Sequence, residues 1–527
     1  FGMQSPLPKS VTFATPGGLA ANVTMNRTVS LTDPNNPLSL ATLTATVGMN
    51  GPNHTSTFDA ASLTFTDTTP MGRQSTTKID SLGRVIEHQV PGLFSTRYSY
   101  DAQGRLSAVA TGSGLDERTT SFHYNPDGYV DTITDPLSQV LGLEYDASGR
   151  LIKEVLPDGR HIVSTFDENG NVKSVTPPGQ PAHFFEYNSL DLLTKYVPPD
   201  VEAGADETQF SFNKDGDLTQ ILHPDGQTID LGYDSGGRLS SVGVSRGAIT
   251  YDFSPATGQL KTITAPGGII LDYTYDGSLL TRRTLGGPVA GSVSAEYDGT
   301  FRIIGLKINH GDPIPLQYDH DNLLTQAGPL ALTYNGQNGL LTGTGLGNVS
   351  DTWTYSGFGE PTDYSATYNT AQQFTYDKSG RIIQKDETIT GATDTYEYAY
   401  DPAGRLIQVQ KNGVISSTYT YDGNNNRLTG PHAATSYTYD AQDRLLTQST
   451  ALGTKSYTYS ANGELQSKAL GDETSEERVD RPTPGRALPP RRRELLQAGL
   501  HRWVGPPHHP GRTTHDLDHV ERRGQPR

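Results

Sequence analysis

Five residues, Gly243-Val244-Ser245-Arg246-Gly247, match G-x-S-x-G, the spacing that lifts a serine onto a sharp strand-to-helix turn for nucleophilic attack. That chemistry needs a helix after the serine and a histidine base beside it. Here a strand-like run, Ile249 to Phe253, follows instead, and the stretch falls where a hairpin turn is expected. Aspartates recur along the chain and could act as paired carboxylates. General acid–base work needs two of them a few ångströms apart in distinct environments. Their recurrence, once per sequence unit, reads as turn chemistry. His515 and His519 stand at i, i+4 with His508 and His509 nearby, but a metal site there needs a helix, and no helical pattern surrounds them. Gly453-Thr454-Lys455-Ser456 resembles the end of a phosphate loop, yet it lacks the preceding glycine and a strand follows. The chain has Cys 0, which excludes disulfides and thiolate chemistry. Asn22, Asn26, Asn53 and Asn348 open N-x-[ST] sequons and are read as coincidence. The expectation is a chain with no catalytic, cofactor-binding or metal-binding residues.

What must be positioned is therefore a repeated corner. YDAQGRL begins at Tyr100 and returns as YNPDGYV at Tyr124, YDASGRL at Tyr145, FDENGNV at Phe166 and YDSGGRL at Tyr233. Further copies begin at Tyr187, Phe212, Tyr251, Tyr275, Tyr297, Tyr318, Tyr334, Tyr355, Tyr376, Tyr400, Tyr421, Tyr439 and Tyr459, with a degenerate first copy at Ile79. The steps between anchors cluster at 21 residues and range from 16 to 25, which marks an internal repeat.

The unit starting at Tyr145 can be read residue by residue. Asp146 opens a turn, where its carboxylate accepts a backbone N–H two residues on. Gly149 closes that turn with a positive φ at no steric cost. Leu151 to Leu156 reads as a strand, Pro157-Asp158-Gly159 as a second turn, and His161 to Phe166 as the return strand. One unit is one hairpin. The structural anchors expected from this reading are Tyr100, Asp101 and Gly104; Tyr145, Asp146 and Gly149; Tyr233, Asp234 and Gly237; Tyr376, Asp377 and Gly380; and Tyr400, Asp401 and Gly404. Aromatics at alternate positions, such as Tyr396, Tyr398 and Tyr400, share one face, and threonines fill the other. Tyrosine suits a face that is packed yet wet.

Composition agrees with an all-β array. Gly 57 and Pro 34 mark frequent turns, and 27 Tyr and 15 Phe argue against disorder. The formal charge of −17 repels phosphates, so nucleic acid is not an expected partner. No apolar run is long enough for a transmembrane helix.

Three regions are expected: an irregular β-rich flank over 1–70, a repeat array over 71–470, and an Arg/Pro/His-rich tail over 471–527 that is disordered or read out of frame. Nineteen hairpins give thirty-eight strands. At roughly 4.8 Å per strand they form a ribbon on the order of 180 Å long and about 20 Å tall. Twist coils such a ribbon. The expectation is about one loose turn of wall around a hollow interior, about 60 Å across if closed into a ring.

YDAQGRL, YDASGRLIKEVLPDGR, YDSGGRL and YDPAGRL carry a family resemblance over about residues 79–465. The chain resembles bacterial Rhs/YD-repeat proteins, which are similar to the C component of Tc toxins and to animal teneurins. The resemblance implies a tandem β-hairpin ribbon spiralling into a partial hollow shell. It implies a structural role in a secreted or cell-surface bacterial polymorphic toxin, with the wall enclosing or presenting a C-terminal cargo or meeting further repeats of the same polypeptide. The alternative it implies is a cell-surface adhesin or carbohydrate-binding scaffold with glycan partners.

Overall fold

The computed structural model describes residues 9–201, 207–368, 370–431, 435–470 and 473–476. Among the described residues there are forty-three β-strands and one short 3-10 helix, Gly114–Asp116. Every strand pairs antiparallel with its neighbours in sequence, in a 38-stranded sheet followed by a 5-stranded one. Between the two, pairing thins to the bridges Tyr421–Arg427 and Thr429–Ser436. The nineteen units from Ile79 onward thus hold thirty-seven strands plus one slot reduced to bridges. The N-terminal flank joins the same ladder without a break, since Thr64–Thr68 pairs with Gln74–Ile79. Apart from the backbone of Glu473–Glu476, the expected tail lies outside the described residues.

Register fixes two faces. Partners across an antiparallel ladder point the same way, and alternate residues point opposite ways. Tyr98 pairs with Val109, Phe122 with Ile133, Ile133 with Leu141 and Glu154 with Ile162, all on one face. The opposite face carries hydroxyl pairs between neighbouring strands, such as Thr165–Ser174 at 2.6 Å, Thr352–Ser365 at 2.7 Å and Thr438–Thr447 at 2.7 Å. The first face lines a cavity of about 2360 Å³. Few apolar side chains are fully covered; among the described residues only Ala21, Ile133 and Leu141 are buried hydrophobics. The molecule is a single-layered wall around space.

The wall makes nearly two turns. Side chains touch across 237 to 265 residues of sequence at eight places along the chain, from Thr15–Asp276 to Asp225–Asn462. One turn holds roughly 24 strands, on the order of 115 Å of wall and about 37 Å across. The expectation of one loose turn is therefore corrected. It assumed a ring closing on itself, whereas the ribbon winds tighter and its two edges dock on each other.

Candidate functional site

The repeated corner is a built object. In each of the five anchor sets the glycine N–H donates to the aspartate carbonyl, at 2.9–3.0 Å. The glycines sit at positive φ: Gly104 at 83°, Gly149 and Gly237 at 75°, Gly380 and Gly404 at 77°. A turn closed by a left-handed residue makes a bulge, and the register shifts just before each anchor, for example between Glu144 and Tyr145. Asp146 Oδ1 accepts the N–H of Ser148 at 2.9 Å and of Arg150 at 3.0 Å. Asp101, Asp234 and Asp377 hold the two equivalent N–H groups, and Asp401 accepts from Arg405 N at 2.9 Å. At Asp146 and Asp234 these hydrogen bonds favour the ionised form. The Asp146 carboxyl is held below its ordinary value, first by the Arg150 N–H, and the Asp234 carboxyl likewise, first by the Arg238 side chain.

The anchor tyrosines reach back one unit. Tyr100, Tyr145, Tyr233, Tyr376 and Tyr400 donate their hydroxyls to the carbonyls of Val85, Val130, Leu218, Pro361 and Ile382, at 2.7–2.8 Å. Each ring is half-buried, and burial raises the pKa of Tyr145 and Tyr400.

The arginine closing the motif was not assigned a role from the sequence. Its Nε donates to the second aspartate oxygen, as in Arg105–Asp101 and Arg150–Asp146 at 2.7 Å. Its guanidinium then lies over the aromatic ring of the next unit: Arg84 over Tyr100 at 4.4 Å, Arg105 over Tyr124 at 4.2 Å, Arg381 over Tyr400 at 4.5 Å. Where both residues are present, as with Arg84 and Tyr100, Arg105 and Tyr124, and Arg381 and Tyr400, a unit clamps the next by a hydroxyl–carbonyl bond and a cation–π contact. Tyr129 takes the arginine's slot in its unit and stacks on Tyr145 with centroids 5.0 Å apart. The recurrence of Arg after Gly was the available signal.

One anchor is corrected. The unit placed at Tyr251 turns at Phe253: the bulge falls between Asp252 and Phe253, and Arg238 lies over the Phe253 ring. A longer turn, closed by Gly258 donating to Ser254 O, displaces the corner by two residues. Ser245 and Arg246, the centre of the G-x-S-x-G match, form the two-residue connection between the strands Leu239–Val244 and Gly247–Phe253. Gly453 opens the strand Gly453–Tyr459.

The corners also make the seam between turns. Corners of the second turn meet the Pro/Gly-rich loops of the first. Arg118 forms a two-pronged pair with Glu360, at 2.6 and 2.9 Å, and lies 3.6 Å over the Phe358 ring. Phe94 packs edge-on against Phe358 with centroids 4.8 Å apart, and its N–H donates to Gly357 O. A Cβ on Gly357 would lie 2.5 Å from the Phe94 ring. Arg73 bonds Asp319 at 3.0 Å and also pairs with Asp321; burial lowers its pKa, and the two aspartates more than offset that. Arg160 donates to Gly423 O at 2.5 Å and Asn425 Oδ1 at 2.9 Å.

The cavity inside is lined from both turns, by Tyr98, Phe122 and Leu141 of the first and Asn338, Glu360 and Arg381 of the second. Burial raises the pKa of Glu154, which lines it. Among the described residues no group of three or more His, Cys, Asp or Glu is placed to hold a metal, and no helix is long and apolar enough to cross a membrane.

The chain is similar to known proteins. The crystal structure of TcdB2-TccC3-Cdc42 shares the fold, with a TM-score of 0.53 and 12% identity, covering 85% of this chain and 31% of that one. Human Teneurin-4 is 24% identical over 381 residues, 65% of this chain. Mouse Teneurin-1 is 26% identical over 371 residues, 63% of this chain. The double-stranded DNA deaminase toxin A of Burkholderia cenocepacia is 26% identical over 208 residues, 38% of this chain. The chain spans about 14% of the length of Teneurin-4 and of the deaminase toxin. The family model for the teneurin YD-shell matches residues 3–478, and this protein belongs to that family.

Proposed function

We propose that the chain is a non-catalytic wall segment of a larger YD shell, in a secreted or cell-surface polypeptide of the bacterial Rhs toxin type. Its task is to enclose or present a cargo carried C-terminal to the wall. The observation that carries this reading is the hollow coil: a single-layered ribbon, docked on itself by an inter-turn seam, with space of about 2360 Å³ inside. The repeat aspartates and the arginines that follow them are used in holding the wall, as corner carboxylates, clamping guanidiniums and seam pairs. The likeness to a protein named as a deaminase toxin favours a toxin context.

Protease challenge of the polypeptide containing this wall tests it. The segment following the wall should resist digestion, and Arg118→Ala with Arg73→Ala should shorten that resistance by opening the seam. Cleavage of that segment as fast as when it stands alone would overturn the reading. The adhesin or glycan-binding alternative rests on the aromatic rows. Rings such as Trp353 and Tyr364, 4.4 Å apart on the inner face, offer a stacking surface. Glycan-array binding lost on Trp353→Ala would favour that reading.

A further inference from the structure

The residue that closes each corner does more than hold its own aspartate: it reaches the left-handed residue of the next corner. A Cβ on Gly104 would lie 3.3 Å from Arg84 Nη1, one on Gly128 3.6 Å from Arg105 Nη1, and one on Gly404 3.5 Å from Arg381 Nη1. On Gly216 and Gly339 it would lie 3.9 and 3.5 Å from the Cδ1 of Leu192 and Leu323. On Gly149 it would meet the Tyr129 hydroxyl. Four corners carry a polar residue at this position: Asp191 at φ 58°, Asn322 at 67°, Asn425 at 73° and Asp443 at 61°. Phe301, at 65°, follows the two-residue turn Gly277-Ser278, which has no closing residue.

The four polar residues stand behind particular partners. Asn171 and Asn426 are the two asparagines in the closing position, and they precede the two aspartates, which are the only ones at positive φ among the described residues. Asn171 Nδ2 donates to its own Asp167 at 3.1 Å and to Asp191 Oδ1 at 2.8 Å. Asn426 Nδ2 repeats this, to Asp422 at 2.9 Å and Asp443 Oδ1 at 2.6 Å. Arg302 and Arg405 precede the two asparagines and donate to Asn322 and Asn425 Oδ1 at 2.9 and 3.2 Å. A left-handed aspartate is strained where glycine is not. The bond from the preceding corner offsets that strain, and Asn171 is buried, where an unpaired amide is costly.

We infer that the closing residue of one corner and the left-handed residue of the next are a matched pair, and that this match determines which unit can follow which. A long closing side chain lies over glycine or bonds asparagine. Asparagine, too short to lie over the next ring, requires aspartate. Asp191, Asn322, Asn425 and Asp443 are thus positioning residues, and units with similar motifs are not interchangeable. In the second turn the match is also tied to the seam: Asn425 accepts from Arg160 Nη1 at 2.9 Å, and Asp443 from Gln180 Nε2 at 3.1 Å. This goes beyond the wall reading and holds whatever the wall encloses.

Hydrogen exchange of the intact chain tests it by transplanting the match. Arg84→Asn should speed exchange of the Gln103 and Arg105 amides, both held by Asp101, about tenfold. Adding Gly104→Asp should return them to within about twofold of the unmodified rate, because the new asparagine gains its acceptor. Adding Gly104→Ala instead, with the same backbone strain and no acceptor, should leave them faster than Arg84→Asn alone. In the native pair, Asp191→Asn keeps the acceptor and should leave the Leu192 amide within about twofold of its rate, whereas Asp191→Ala should speed it about tenfold. Aspartate no better than alanine at 104, or asparagine no better than alanine at 191, would overturn the proposal. Neither result bears on protease protection of a cargo, which tests the wall reading separately.

Discussion

The connections at the same end of the hairpin differ between the two turns. In the first turn several, among them Thr69 to Arg73, Val90 to Ser95, Asp135 to Gln139, Leu156 to Arg160 and His223 to Gln227, run to five or six residues with a proline, while Asn50 to Pro52 has three. In the second turn most shrink to two residues. The hairpins themselves are alike. What changes is the neighbour: the first set has a turn of wall docked on it, and the second, the rim of the coil, has none among the described residues. At these loops greater length goes with stacking. A two-residue connection suffices to reverse the chain, and the longer loops exist to carry Arg73, Phe94 and Arg160 to the next turn.

The largest test of that contrast is Arg118→Ala. It leaves Glu360 half-buried without its partner and uncovers the Phe358 ring, and should cost about 3 kcal/mol at the seam. Hydrogen exchange of the loops around Phe94 and Gly357 should accelerate while the second-turn hairpins stay protected. Next is a glycine pair. Gly357→Ala puts a methyl into the Phe94 ring and should cost about 2 kcal/mol. Gly347→Ala, at φ 59° with open space around it, should cost about 1 kcal/mol from backbone strain alone. Equal losses in urea denaturation would erase the distinction between seam and rim. A tyrosine pair follows. Tyr145→Phe removes the bond to Val130 O and should cost about 1 kcal/mol, whereas Tyr368→Phe, 74% exposed on the rim, should be silent.

The smallest effect per residue is acid sensitivity. The folded pKa of Asp146 and Asp234 is depressed, so these corners contribute stability that is present above the ordinary carboxylate range. It is lost as pH falls through the depressed values. Melting temperature should hold from pH 7 to 5 and fall between about pH 4 and 2. A seam variant should melt lower at pH 7 and still lose stability in acid, since the corners at Asp146 and Asp234 lie outside the seam.

The unit, its two turns and the strand count were legible because each is set by residues within one repeat. Asp146 bonds two residues on and four residues on, and Gly149 answers for its own φ. The clamp was harder to see, because Arg105 pairs with Asp101 in its own unit but stacks on Tyr124 in the next. The coil's winding was not legible at all. Arg118 and Glu360 are 242 residues apart, and nothing in either local sequence names the other. The displaced corner at Phe253 shows the remaining weakness: a Tyr-Asp pair reads as a corner wherever it falls, and only the longer Ser254–Gly258 turn tells that it moved.

Strictly sequential pairing has a consequence for how the chain comes to its shape. Each hairpin finds its partner within some twenty residues, so the sheet can lengthen as polypeptide emerges from the ribosome, low in contact order and without waiting for the far end. The docking of turn on turn is different in kind: Thr15 has no Asp276 to meet until 261 further residues exist. Growth is thus fast and local while locking is late and remote, and a nascent chain must pass through a stage in which half the wall is built and its Pro-bearing edge is bare.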